Sequence, residues 1–230
     1  MGVGTSMFIG SGWGLLLLAL VISGLAQLKV SSTYSKYAKV RSRTNMQACE
    51  VARHILDYNG LSEVRIEQIR GNLTDHYDPR TKTLHLSETV YNSASVAALG
   101  VAAHEAGHAL QDQQGYLPLR LRSALVPVAN LGSHLSWILI LIGLLLGYLG
   151  LFDLGILLFC AVLLFQVVTL PVEFNASSRA LAALEGGGVL EQDEVRQTKQ
   201  VLSAAALTYV AAVLVSLLQL ARLLLLRGRR

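Results

Sequence analysis

Cysteine and charged residues are both scarce in this chain of 230 residues. Its two cysteines, Cys49 and Cys160, provide neither a disulfide framework nor a Cys-x-x-Cys metal pair. Only 15% of the residues are charged, whereas 53% are hydrophobic, and the mean hydropathy is +0.48. A soluble core of this size cannot bury so much apolar surface, so the composition favours a membrane protein.

Signatures of nucleic-acid binding are also missing. The net charge of +4 would suit such a partner, but the basic residues cluster beside apolar runs, as at a membrane flank. There is no RNA- or DNA-binding motif, internal repeat or low-complexity linker. We therefore expect the lipid bilayer as a partner and no nucleic acid.

Four apolar runs are each long enough for a spanning helix of ~20 residues. The first has no Lys or Arg before it and continues too far for a signal peptide, so we interpret it as a retained span. The second and third are separated only around Asp153, and together with Gly147 and Gly150 this predicts a helical hairpin. The predicted segments are span 7–28, hairpin 135–172, a helix and loop at 173–201, and span 202–226.

The one sizeable polar region, 29–134, has mixed α and β patterns. A capping box formed by Thr44 and Gln47 predicts a helix over 44–59, with Gly60 ending it. A strand at 64–69, a hairpin of 73–77 with 81–86, and a helix from about 92 to 114 follow. We expect a mainly α membrane protein with about four transmembrane helices and a small α+β catalytic region.

The stretch from Val101 to Leu110 contains His-Glu-x-x-His, formed by His104, Glu105 and His108. On a helix this spacing places both imidazoles on one face, where they can share a Zn²⁺ ion, and leaves the glutamate beside an activated water as general base. A charged cluster on an otherwise apolar helix is poorly explained as solvated surface. Gly107 inside the motif suggests that another backbone packs closely there.

A catalytic zinc needs a third protein ligand. His134 and Asp112 are candidates, although their contexts suit an interfacial histidine and a helix-surface acid. Glu173 follows the third span directly, and an acid at a membrane boundary can also simply be solvated. The residues alone leave this choice open.

Three stretches together resemble the YugP-like neutral zinc metallopeptidases of bacteria: 77–87, 103–111 and 171–180. The resemblance implies a gluzincin-type site with His104, His108 and Glu173 as zinc ligands and Glu105 as general base. The more distant HtpX-like proteases have an aspartate where this chain has Ser177, so Ser177 or Asn175 would orient a ligand histidine here. Arg179 and Tyr116 are the candidates for stabilising the oxyanion.

The resulting functional prediction is a zinc-dependent endopeptidase acting on membrane or membrane-proximal proteins. The alternatives are a catalytically weak metal-binding scaffold or sensor, and a metal transporter. Glu105 favours the enzyme, because a protein that only holds metal needs no general base there. The spans lack the acidic or histidine residues expected along an ion route.

The distribution of basic residues predicts which side of the membrane each region occupies. Lys and Arg crowd the polar side of span one and are absent from the hairpin tip, so we expect a multi-pass protein of the bacterial inner membrane with a cytoplasmic catalytic region. The C-terminal arginines 227, 229 and 230 are a contrary signal, since both termini would lie outside.

The alternating segment 81–86 leads towards the zinc-binding helix. Its pattern predicts an edge strand that holds an extended peptide substrate, with Thr83, Leu84 and His85 as the binding residues.

Overall fold

The computed structural model describes residues 12–228. Within them the chain forms seven α-helices and three β-strands. In chain order these are α1 (Trp13–Tyr37), α2 (Ala48–Tyr58), β1 (Arg65–Ile69), β2 (His76–Asp78), β3 (Thr83–Ser87), α3 (Glu88–Tyr91), α4 (Val96–Gln113), α5 (Leu117–Leu146), α6 (Leu149–Gly186) and α7 (Gln192–Arg227).

Four of these helices, α1, α5, α6 and α7, are long and apolar enough to cross a membrane. The predicted class, a mainly α membrane protein with a small α+β region, is confirmed. The start of the predicted first span, 7–11, lies outside the described residues.

The turn of the predicted hairpin lies earlier than the sequence suggested. Gly147 has φ +68° and separates α5 from α6, whereas Asp153 lies inside α6 and pairs with Arg227. A single left-handed glycine is enough to reverse the chain, so Gly150 and Asp153 are not needed for the turn. The second and third predicted spans also belong to longer helices than expected, since α5 begins at Leu117 and α6 continues to Gly186.

The chain divides into two compact units. One contains the apolar parts of the long helices: the described residues up to 27, then 121–170 and 208–228. The other contains the polar region and the adjoining helix ends, 28–120 and 171–207. All the predicted site residues belong to this second unit, called here the polar unit.

The sheet of the polar unit has the order β1-β3-β2. β3 pairs with β1 in parallel and with β2 in antiparallel orientation, the latter confirming the predicted hairpin. The prediction that 81–86 is an edge strand is therefore wrong. Thr83, Leu84 and His85 lie in the central strand, whose two edges are already paired, so they offer no free edge to a peptide.

The helix α2 carries the predicted apolar face but starts later than predicted. Its buried residues are the five expected ones, Ala48, Val51, Ala52, Ile55 and Leu56. The capping carboxylate belongs to Glu50, which accepts a 2.7 Å hydrogen bond from Gln47 N. Thr44 is not the cap, because Asn45 has φ +56° and interrupts the helix there.

Candidate metal centre

His104 and His108 lie one turn apart on α4, the most deeply buried helix of the polar unit. The helix begins where Ser95 Oγ accepts a hydrogen bond from Ala98 N, and nearly all its residues are buried. The i, i+4 spacing puts both imidazoles on one face, with ring centroids 4.8 Å apart and nearly perpendicular planes.

Glu173 on α6 faces both imidazoles. One of its oxygens, Oε2, lies 3.3 Å from His104 Nε2 and 3.8 Å from His108 Nε2, and the residue is only 2% exposed. The close approach depends on Gly107, where a Cβ would lie 2.6 Å from the carbonyl oxygen of Ala176. A glycine facing α6 thus brings the helix that carries Glu173 against the motif, as the sequence suggested.

The three side chains have the chemistry of a zinc site. Their ligand atoms all lie within 4.8 Å of one another. Bonds of ~2.0–2.1 Å in a tetrahedral arrangement would separate neighbouring ligand atoms by about 3.3 Å, close to the distances observed. Two imidazole nitrogens and a buried carboxylate oxygen that converge in this way are the donor set of a zinc site, so the residues fit zinc.

Nδ1, the second ring nitrogen of each imidazole, has its own hydrogen-bond partner. His104 Nδ1 lies 3.1 Å from Ser177 Oγ, so Ser177 rather than Asn175 contacts a ligand histidine. His108 Nδ1 lies 3.0 Å from Gln111 Oε1. Sequence reasoning missed Gln111, although its position three residues after His108 on the same helix was a usable signal. In both imidazoles Nε2 therefore faces Glu173.

Glu105 is buried next to the ligands, with 9% of its surface exposed. Burial raises the pKa of its carboxyl group to about 7. His104 opposes this rise, whereas the negative charges of Glu173 and Asp75 add to it. A group with this pKa can both accept and return a proton near neutral pH. Asp75 just before β2 was not singled out from the sequence.

The remaining candidates have other contacts. Arg179 Nε donates to Asn175 Oδ1 at 2.7 Å, and Tyr116 Oη donates to the carbonyl oxygen of Pro171 at 3.5 Å. Asp112 accepts hydrogen bonds from Tyr77 and Lys82. Among the described residues, the set that could hold a metal consists of His104, His108 and Glu173, without Asp112 or His134.

The predicted substrate residues sit in the sheet instead. Thr83 and Leu84 are buried in β3. His85 stacks on His76 of β2, with ring centroids 4.6 Å apart. Both β2 and β3 pack against α4, the helix that carries Glu105.

Comparison with known proteins identifies the family of the chain. No solved structure matches the chain. A protein of Bacillus subtilis (strain 168) named "Putative membrane protease YugP" is 51% identical over 213 residues, which cover 92% of this chain and 95% of that protein. The family described as "Putative neutral zinc metallopeptidase" matches residues 13–228. The resemblance found in the sequence is thereby confirmed, and the chain belongs to this family of neutral zinc metallopeptidases.

Proposed function

We propose that this protein is a gluzincin-type zinc endopeptidase that cleaves membrane or membrane-proximal proteins. The supporting observation is the convergence of His104 Nε2, His108 Nε2 and a Glu173 carboxylate oxygen beside the buried carboxyl group of Glu105. Family membership and the name of the Bacillus subtilis relative point the same way.

Each of these residues has a distinct role. His104, His108 and Glu173 hold the metal, while Ser177 and Gln111 orient the imidazoles. Zinc, when bound, polarises the scissile carbonyl and lowers the pKa of a water molecule towards ~7. Glu105 takes a proton from the attacking water and delivers it to the leaving amine, because its carboxyl group is buried beside the residues that would hold the metal.

The edge strand that would bind a substrate is β2. It is paired with β3 on one side, and it packs against α4, the helix that carries Glu105. A peptide added to its outer edge would lie extended beside the metal ligands. This replaces the sequence-based assignment to β3.

The position of Glu173 supports the proposal of membrane-associated substrates. The residue lies on α6, directly after an apolar run that is long enough to span a bilayer. The catalytic centre would then lie near the membrane surface, on the cytoplasmic side of a bacterial inner membrane. A soluble peptide cleaved as fast in proteoliposomes as the same sequence fused to a transmembrane anchor would contradict this part of the proposal.

The competing function is a metal-binding scaffold or sensor without hydrolysis. Glu105→Gln separates the two, because glutamine keeps the size of the side chain but cannot take a proton. We expect this variant to retain zinc and to lose peptide cleavage by at least 10²-fold, the usual minimum contribution of a general base. Full cleavage activity in Glu105→Gln would rule out the proposed mechanism.

A further inference from the structure

A chain of hydrogen bonds leads from α6 to one of the metal-binding histidines. Arg179 Nε donates to Asn175 Oδ1 at 2.7 Å, and Gln111 Nε2 donates to the same oxygen at 3.0 Å. Gln111 Nε2 also donates to the carbonyl oxygen of Val172 at 2.8 Å, and Gln111 Oε1 lies 3.0 Å from His108 Nδ1. Gln111 is therefore the link between α6 and His108.

The orientation of the Gln111 amide is set by its partners. The carbonyl oxygen of Val172 can only accept a hydrogen bond, so the NH₂ group of Gln111 must face it. Asn175 presents its own carbonyl oxygen, because Arg179 can only donate. A flipped Gln111 amide would set its oxygen against two acceptors, so Oε1 has to face His108.

We propose that Gln111 is a positioning residue that fixes His108 in the tautomer with hydrogen on Nδ1. Since Gln111 Oε1 can only accept, His108 Nδ1 must donate, and in the neutral imidazole the lone pair is then on Nε2, which faces Glu173. This inference rests on the metal site of the proposed function. Gln111 is completely buried, so water cannot take over its role.

The contact at Nδ1 of the second histidine, His104, is of a different kind. The partner of His104 Nδ1 is the hydroxyl of Ser177, which can rotate and act as donor or acceptor. Ser177 therefore tolerates either tautomer of His104, whereas Gln111 admits only one tautomer of His108.

The decisive comparison is Gln111→Met against Gln113→Met, purified in detergent. Both replace a glutamine by an unbranched side chain on α4, but Gln113 is exposed and donates to Asn59 O, outside the chain of bonds. We expect Gln111→Met to weaken Zn²⁺ binding about 10- to 100-fold in a competition titration with a chelator, and Gln113→Met to bind like the wild type. Circular dichroism and gel filtration verify folding.

Nitrogen-15 NMR of labelled histidines in the metal-free protein measures the tautomer directly. The wild type and Gln113→Met should show His108 with hydrogen on Nδ1, and Gln111→Met a mixture of tautomers. A wild-type His108 with hydrogen on Nε2 instead of Nδ1 would overturn the inference. So would a Gln111→Met variant whose zinc affinity and His108 tautomer are both unchanged.

A second pair of variants keeps the test independent of the folding of Gln111→Met. Asn175→Asp preserves an oxygen that accepts from Gln111 and Arg179, whereas Asn175→Leu removes it. We expect Asn175→Asp to bind zinc like the wild type and Asn175→Leu several-fold more weakly; equal affinities would contradict the proposed chain. A wild type that binds zinc with this pattern but cleaves no peptide would support the role of Gln111 and overturn the proposed peptidase function.

Discussion

Asp112 shows how an acidic residue close to the zinc motif is used in the structure. Its carboxylate accepts a 3.0 Å hydrogen bond from Tyr77 Oη and pairs with Lys82, so it ties α4 to the β2–β3 hairpin. Desolvation of the Tyr77 hydroxyl and its hydrogen bond to Asp112 raise the pKa of the tyrosine. Asp112 is thus a structural residue rather than a ligand.

Replacing Asp112 should therefore change stability without changing metal content. We expect Asp112→Ala to lower the free energy of unfolding by about 1–2 kcal/mol, because a hydrogen bond to a charged group is lost while the ion pair with half-exposed Lys82 contributes little. Thermal unfolding and zinc analysis in detergent measure the two effects. Loss of zinc at unchanged stability would indicate that Asp112 is a ligand after all.

Single residues were predictable from the sequence where local geometry determines their neighbours. The i, i+4 spacing of His104 and His108 needs only a helix to bring the rings together, and Gly107 signalled a close crossing. Glu173 lies 65 residues after His108 along the chain, so only the family resemblance pointed to it. The packing of β2 against α4 joins segments that are distant in the chain, which no local pattern encodes.

At the scale of helices and strands, the crossing of α4 and α6 determines the metal centre. A methyl group at position 107 would collide with the backbone of Ala176, which cannot move without α6. We expect Gly107→Ala to destabilise the protein by about 1–3 kcal/mol and to weaken zinc binding, since Glu173 would be pushed away from the histidines. Chelator titration and thermal unfolding are the measurements.

Gly186→Ala is the matched control for that crossing. Gly186 is the last residue of the same helix α6, and a Cβ there meets no atom within 4 Å. It should leave zinc affinity unchanged. Equal behaviour of Gly107→Ala and Gly186→Ala would show that the close approach does not position Glu173.

The sheet edges provide a test of substrate placement. Glu67 of β1 and His76 of β2 both lie opposite His85, on opposite edges of the sheet, and both are exposed. A photoreactive amino acid at position 76, in the Glu105→Gln background, should crosslink a peptide substrate, because β2 is the edge strand that packs against α4. The same group at position 67 should not; preferential crosslinking there would place the substrate on β1.

The position of β3 in the sheet was predicted wrongly for a physical reason. Its alternation of polar and apolar residues is typical of a strand with one exposed face. In the structure Thr83 and Ser87 are buried, and Ser87 satisfies its polar groups with Asp75, whose Oδ1 accepts from Ser87 N at 2.7 Å. The sequence alone does not distinguish a buried polar residue that has a hydrogen-bond partner from a solvated one. The parallel pairing of β3 with β1 also joins strands that are not consecutive in the chain, so the local pattern does not indicate it.

For the whole molecule, the charge distribution predicts a cytoplasmic polar unit. Most Lys and Arg residues belong to the polar unit, and the turn between α5 and α6 has none. In a variant lacking Cys49 and Cys160, a cysteine at Asn72 should be protected from a membrane-impermeant thiol reagent in intact cells. A cysteine at the exposed Tyr148 of the turn should react. The reverse labelling pattern would invert the topology.

The zinc content of purified variants shows directly whether His104, His108 and Glu173 hold a zinc ion. Elemental analysis should find about one zinc per chain in the wild type, in Glu105→Gln and in His134→Ala, because neither Glu105 nor His134 is a ligand in this account. His104→Ala, His108→Ala and Glu173→Ala should each lose most of the metal, since each removes one of the three converging donors. Wild-type zinc content in any of these three alanine variants, or loss of zinc in His134→Ala, would contradict the assignment.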